Sequence, residues 1–555
     1  MRLLFLFFLA SGLVTSAVSQ SLPTDVSLTE LSAEELEAEA QVAYGAERYA
    51  EAGRLYQAAL DAGSTESSTA YNGACSFALA GQTEPAIELL QTSADLGFMK
   101  VDLLGRDTDL DSIRDHPRWP AIEAQMKRTA AAHERMWNSE AMRTPYAENL
   151  SDTEKVAGLA RLWAETKYNF VNFDLVEELD WDSLFVASIP RVQATTSTAE
   201  YYQVMQHIVA QLKDGHSNVY SPFTLVDVLR ARPAFRTRLV GDQVVVAYLQ
   251  DSTLADQGIR VGQEVLEIDG TPVHEYAAAH VRPYQSASTL QDLDVRTYEY
   301  ALLAGDASKP IALTLREPDG TVVTREVWRE TNEERRAADR SSPPFELKWL
   351  PGNVAHVAVN SFSSSASYDA YMDAYDEIVK ASAIVFDVRN NGGGNSGYGW
   401  NILCTLTDAG TVQVSSWYTR MYRPAYRAWG RQEGIDGEDE NNWGCAGGQH
   451  YAGPVAVLTS PRTFSAAEDF AVVFDAMDRG LLVGEKTGGS TGQPLFFELP
   501  GGGGARVTTK RDRYPDGRDF VGVGIIPDIA VAPTVESLRA GTDPVLDAAI
   551  EAVRR

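Results

Sequence analysis

The sequence predicts a multidomain α/β protein, and three observations carry that expectation. Beyond residue 345, apolar runs at 354–359, 384–387, 455–458 and 481–483 alternate with helical patterns at 368–379 and 466–477, the rhythm of a parallel-sheet core. Residues 33–140 are rich in alanine and helical in period, and contain an internal repeat. Between them, 235–332 shifts to strand-like patterning. With 555 residues, core size sets no limit.

Along the chain, Arg2 precedes an apolar run at 3–9, and small residues follow at Ala17-Val18-Ser19. This is the three-part pattern of a secretory signal peptide over 1–19, cleaved after Ser19; an uncleaved anchor would share the pattern. Export to the periplasm or the extracellular space follows. No later stretch is apolar enough for a stable membrane span. Export permits disulfides, so Cys404 and Cys445 can pair and leave Cys75 buried, although three free thiols fit equally well. Their spacing implies no metal site. The formal net charge of −29 repels phosphate backbones and argues against a nucleic-acid partner.

In the helical region, Ala46 and Ala80, Ala52 and Ala86, and Leu55 and Leu89 each stand 34 residues apart. Small residues at helix-crossing positions with that period resemble tetratricopeptide repeats, which implies a protein partner for 33–140; a helical hairpin acting as a spacer fits the same pattern. A helical cap follows at 145–225, opened by the capping signal Ser151-Asp152-Thr153-Glu154 and closed by Asp214-Gly215-His216-Ser217. In 235–332, the strand at 243–248 precedes a short helix at 252–257 and the segment from Gly258 to Gly270. That segment resembles the later half of a bacterial PDZ domain, which adds a peptide as an extra strand; a β-domain that only spaces its neighbours is the alternative. Residues 335–344 read as a linker, the acidic stretch 433–442 as a surface loop, and 536–555 as a C-terminal helix.

Two signals carry chemistry. Asp387-Val388-Arg389-Asn390-Asn391-Gly392-Gly393-Gly394 follows one apolar strand, and Thr459-Ser460-Pro461-Arg462-Thr463-Phe464-Ser465-Ala466-Ala467-Glu468 follows another. Each reads as a buried strand, a tight turn and a helix start, where free N–H groups favour developing negative charge. Ser465 through Glu468 is also a capping box. Gly488-Gly489-Ser490-Thr491-Gly492-Gln493 lacks the terminal Lys of a phosphate loop, so no nucleotide cofactor is implied; Ser490 or Gln493 can line the cleft.

Taken together in order, these motifs and two later ones, 483–489 and 522–528, resemble the tail-specific or C-terminal processing serine peptidases and their tricorn-like relatives, family S41. The resemblance implies a ClpP/crotonase-like catalytic core at 345–535, polypeptide substrates, no cofactor and no metal. It also implies Ser465 as nucleophile, with backbone N–H groups of Gly392, Gly393 and Ala466 as the oxyanion hole. Processing peptidases pair the serine with a lysine 25 residues later, and here that position is Ser490; Lys486 aligns with a position that is not the base. Tricorn-like members use a histidine from the preceding helical segment, which His216 matches. The group orienting that histidine is left open among Glu468, Asp516 and Asp519. A catalytically inactive peptide-binding adaptor is the rival reading of the same chain.

Overall fold

The computed structural model describes residues 31–554 except 339, 341 and 433; the signal-peptide reading lies outside the described residues. The chain forms two compact units, the first reaching to Glu140 with the short segments Ala409–Thr411 and Asn442–Gly447, the second comprising the rest.

In the first unit, helices Ala33–Gly45 and Tyr49–Asp61 are followed by Ser67–Leu79 and Thr83–Asp95, so the second pair begins 34 residues after the first. Small residues let the helices approach closely. A Cβ on Gly53 would stand 2.6 Å from the Phe77 ring, and Ala52, Ala59, Ala70 and Ala74 are fully buried. Tyr71 stacks on Phe98 at 4.3 Å, and helix Trp119–Trp137 closes the core through Ile122 and Met126.

The second unit opens with helices Asp152–Asn169, Trp181–Gln193 and Thr198–Ala210. The capping box expected at Ser151 and Glu154 is formed. Tyr201, Tyr202 and Leu162 pack with Phe497 and Leu499 of the hairpin Pro494–Leu499 and Gly503–Thr508. The stretch 235–327 contains an antiparallel sheet, Phe235–Val240, Gln243–Leu249, Glu264–Ile268, Ile311–Arg316 and Val322–Val327 in spatial order. It is not all strand. Residues 273–301 are largely helical, including two π-helical segments at Ala277–Val281 and Val295–Ala301.

The central sheet orders Ile529–Ala530, Leu481–Gly484, Val455–Thr459, Ala383–Asp387, Val354–Val359 and Phe345–Leu350. All neighbours are parallel except the last pair. One face, with Ala383, Val385, Ala456 and Leu458, packs on Val545 and Ala549 of helix Pro544–Ala552. On the other, Phe386 meets Tyr371 of helix Ala366–Ile378 and Phe470 of helix Ala466–Ala476. Burial on both faces explains why these strands read as unbroken apolar runs.

Four local expectations need correction. The edge strand Phe345–Leu350 went unforeseen because its side chains are only partly buried. The linker begins as a capped helix, Asn332–Ala337. The acidic loop contains strand Gly434–Glu438, paired with Ser416–Met421 in a hairpin whose exposed faces impose no apolar alternation. The C-terminal helix is two, Val535–Ala540 and Pro544–Ala552, separated where Gly541 adopts φ 66°. Cys75 is a buried free thiol. No helix among the described residues is long and apolar enough to cross a membrane.

Candidate active site

The two glycine and serine signals meet because their strands are adjacent and parallel, with Asp387 level with Leu458. Both turns therefore leave the same C-terminal edge of the sheet, where open α/β sheets bind ligands. Asp387 anchors the first turn, accepting from Arg389 N–H at 3.1 Å and Arg389 Nε at 2.9 Å, with His356 Nε2 at 3.2 Å. Burial opposes ionisation, yet His356 and Arg389 hold this carboxyl well below the usual range. Arg389 continues to Asp543. The turns are then laced together: Ser460 Oγ donates to Arg389 O at 2.7 Å, Thr463 Oγ1 to Val388 O at 3.0 Å and Phe464 N–H to Asn391 O at 3.1 Å.

Ser465 sits at the start of its helix with φ 57° and ψ −129°, a conformation that costs a non-glycine residue about 1–3 kcal/mol. Its N–H is shared between Glu468 Oε2 and Ser490 O, both at 3.2 Å. Its Oγ lies 3.0 Å from His216 Nε2. Gly393, at φ 98°, is pressed against the serine: a Cβ there would stand 2.6 Å from Ser465 Cβ and 3.0 Å from Ala466 N. The expected oxyanion set is altered in one respect. The Gly393 N–H is committed to Asn391 Oδ1 at 2.9 Å, whereas those of Gly392 and Ala466 have no hydrogen-bond partner among the described residues.

His216 arrives from the helical region through a turn built by Asp214. That buried carboxylate accepts from His216 N–H at 3.0 Å, Thr508 Oγ1 at 2.6 Å and Asn172 Nδ2 at 3.0 Å. The next residues form the short strand Asn218–Tyr220, paired with Gly503–Thr508, so the turn is tied to the C-terminal part of the unit. The imidazole stacks on Phe464 at 4.7 Å. Burial, then Arg506 and Arg296, pull its pKa well below the ordinary histidine value. Arg296 donates to Gly215 O at 3.1 Å and pairs with Asp292, whose carboxyl is pushed up to about 6 by burial. Gly215 admits no side chain: a Cβ would meet the Phe464 ring, Ser490 Oγ and Asp292 Oδ2 within 3.0 Å. Asp292 and Arg296 carried no sequence signal, since they lie in a helical insertion within a strand-like region.

The candidate acids do not converge on His216. Glu468 is fully buried and accepts from Thr487 Oγ1 at 2.5 Å, Gly489 N–H at 2.7 Å and Ser490 N–H at 2.9 Å, besides Ser465 N–H. Burial pushes its carboxyl up to about 7 against those four donors. It organises the loop rather than the imidazole. Asp516 pairs with Arg518 and Asp519 with Arg513, both at the surface, where solvated ion pairs satisfy them. Lys486 is exposed. The residue beside His216 Nδ1 is Ser490, at 2.8 Å. Its signal was present in the sequence, as the serine standing where a lysine is expected, but its partner depends on a contact across 274 residues.

For a metal, Cys75, Asp107 and Asp109 are the group among the described residues whose ligand atoms lie close enough to share an ion. Burial raises the Cys75 thiol well above its usual value, and it donates to Asp107, which Tyr71 also bonds at 2.8 Å.

A strained serine at a helix start, hydrogen-bonded to a buried imidazole beside unpaired N–H groups, is the constellation of an acyl-transfer enzyme. Residues 353–531 match the model of peptidase family S41. It is 27% identical over 351 residues to the chloroplastic C-terminal processing peptidase of Tetradesmus obliquus, spanning 61% of this chain and 69% of that one. It is 27% identical over 280 residues to the carboxyl-terminal-processing protease of a Picosynechococcus species, spanning 49% and 61%. Among solved structures, mature CPAF complexed with lactacystin has the same fold with a TM-score of 0.54 at 16% identity, over 70% of this chain and 95% of that one.

Proposed function

We propose that this chain is an exported serine endopeptidase that cleaves unfolded or C-terminally exposed polypeptides, with Ser465 as nucleophile and His216 as general base. The observation that carries the reading is the 3.0 Å approach of His216 Nε2 to the hydroxyl of a serine in a strained backbone conformation. His216 takes the Ser465 proton as Oγ attacks the peptide carbonyl. The oxyanion is held by the Ala466 and Gly392 N–H groups, each such donor being worth about 3 kcal/mol in the transition state. The imidazolium then protonates the departing amine, and water, deprotonated by the same imidazole, releases the acyl group from Ser465. The antiparallel sheet at 235–327 is the PDZ-like element that receives an extended peptide, and the paired helices of 33–95 form the tetratricopeptide-like module that recruits a protein partner.

The test is degradation of unfolded casein together with labelling by a fluorophosphonate probe. The wild type should cleave and label, while Ser465→Ala loses both and His216→Ala loses at least about 1,000-fold in kcat/KM. Because the His216 pKa is lowered, the imidazole stays neutral as pH falls through 6.5, so the acid limb of kcat/KM should lie below that value. Probe labelling that persists in Ser465→Ala refutes the assignment, and an inert wild type that still binds peptides would favour the adaptor.

A further inference from the structure

For His216 Nε2 to accept a proton from Ser465, the other ring nitrogen must carry the ring proton and donate it to something. Serine hydrolases commonly meet that need with a carboxylate. Here Glu468 is occupied by the 487–490 loop, and Asp516 and Asp519 turn to surface arginines. The atom within reach of Nδ1 is the Ser490 hydroxyl oxygen, 2.8 Å away.

Ser490 is fully buried and tied down on every side. Its N–H donates to Glu468 Oε2, its carbonyl accepts the N–H of Ser465, and its neighbour Thr491 donates to Asp512 at 2.8 Å. One residue thus bonds the ring of the base through its side chain and the backbone of the nucleophile through its carbonyl. A displacement of Ser490 would move both reacting groups together.

We propose that Ser490 is the positioning residue of the catalytic line, selecting the Nδ1–H tautomer of His216 by accepting its proton donation, with Glu468 holding the backbone N–H groups of Ser465 and of the 489–490 loop rather than the ring. This rests on the reading of Ser465 and His216 as nucleophile and base. A hydroxyl fixes the ring and its tautomer, but it supplies no full negative charge to the imidazolium that forms during attack. The site therefore differs in its electrostatics from one with a carboxylate at this position.

Three variants and one spectrum test it. Ser490→Ala should lower kcat about 10- to 100-fold with KM nearly unchanged, the size expected for loss of one orienting hydrogen bond in the transition state. Ser490→Thr keeps the hydroxyl and should return activity to within about 5-fold of wild type, a factor of about 1 kcal/mol. Ser490→Asp places a carboxylate on Nδ1 and should move the acid limb of kcat/KM to higher pH, because a neighbouring negative charge favours the imidazolium. A residue that merely fills space would not shift that limb. Nitrogen-15 spectra of the wild-type imidazoles, with His216 assigned by difference from His216→Gln, should show the Nδ1–H tautomer. An Nε2–H tautomer overturns the proposal whether or not any variant folds. So does an active Ser490→Ala with an unchanged pH profile while His216→Ala is dead. If His216→Ala itself retains full activity, the underlying base assignment has failed, and that outcome is separate from the others.

Discussion

The single-residue constraint that bears directly on Ser465 is at Gly393. Its φ of 98° lies where side chains are strained, and the direction in which a Cβ would project is filled by Ser465 Cβ and Ala466 N. Gly393→Ala therefore should not act through a lost N–H donor, because that N–H already bonds Asn391. It should act by pushing Ser465, the proposed nucleophile, away from His216. Displacements of about 1 Å in a reacting group cost on the order of 100-fold, and the expected loss in kcat/KM for Gly393→Ala is of that size. Full activity in the variant would show that the serine does not need this contact. The glycines were visible in the sequence, and so was their proximity to the chemistry. Which of their N–H groups remains unpaired was not, since it depends on the rotation of the Asn391 amide that joins Val359 O to Gly393 N.

At the scale of elements, the histidine is delivered by a turn and a three-residue strand, and the joint is Asp214. Three donors converge on this buried carboxylate from the turn itself, from the hairpin strand Gly503–Thr508 and from Asn172, just beyond helix Asp152–Asn169. Asp214→Ala would leave those donors unsatisfied in the interior, at about 1–3 kcal/mol for each buried group that finds no water. Unfolding in urea should begin at a clearly lower midpoint, and kcat/KM should fall at least about 10-fold as the His216 turn loosens. An unchanged urea midpoint would contradict the role of the joint. The sequence marks an Asp-Gly turn here, and the family resemblance brought the histidine after it, His216, into the candidate set. The strand after it carries too few residues for a period to be read, and its partner lies 288 positions away, Asn218 opposite Arg506.

For the whole molecule, a net charge of −29 means that self-repulsion opposes the compact state and shapes which polypeptides approach. Raising salt from about 20 to about 200 mM shortens the reach of these charges from roughly 20 Å to roughly 7 Å. The thermal midpoint should rise over that range, and the KM for acidic peptides should fall relative to that for basic ones. A flat response in both would mean that paired charges cancel locally. The class of fold, the strands of the core and the two turns at its edge were legible in the sequence because each is a local property: apolar runs bounded by glycine and proline, or a serine placed three residues before a glutamate at a helix start. The family resemblance added Ser465 and His216 as candidate nucleophile and base. What only the tertiary structure decided is the company these residues keep: the 387 and 459 strands lying side by side, Glu468 turned toward its own loop, Asp516 and Asp519 paired off at the surface, and Ser490 seated on His216 Nδ1. The strand pairing, the Glu468 loop and the Ser490 contact depend on hydrogen-bond geometry between separate segments of the chain that no short window contains, whereas the Asp516 and Asp519 pairs are local and follow from their exposure at the surface.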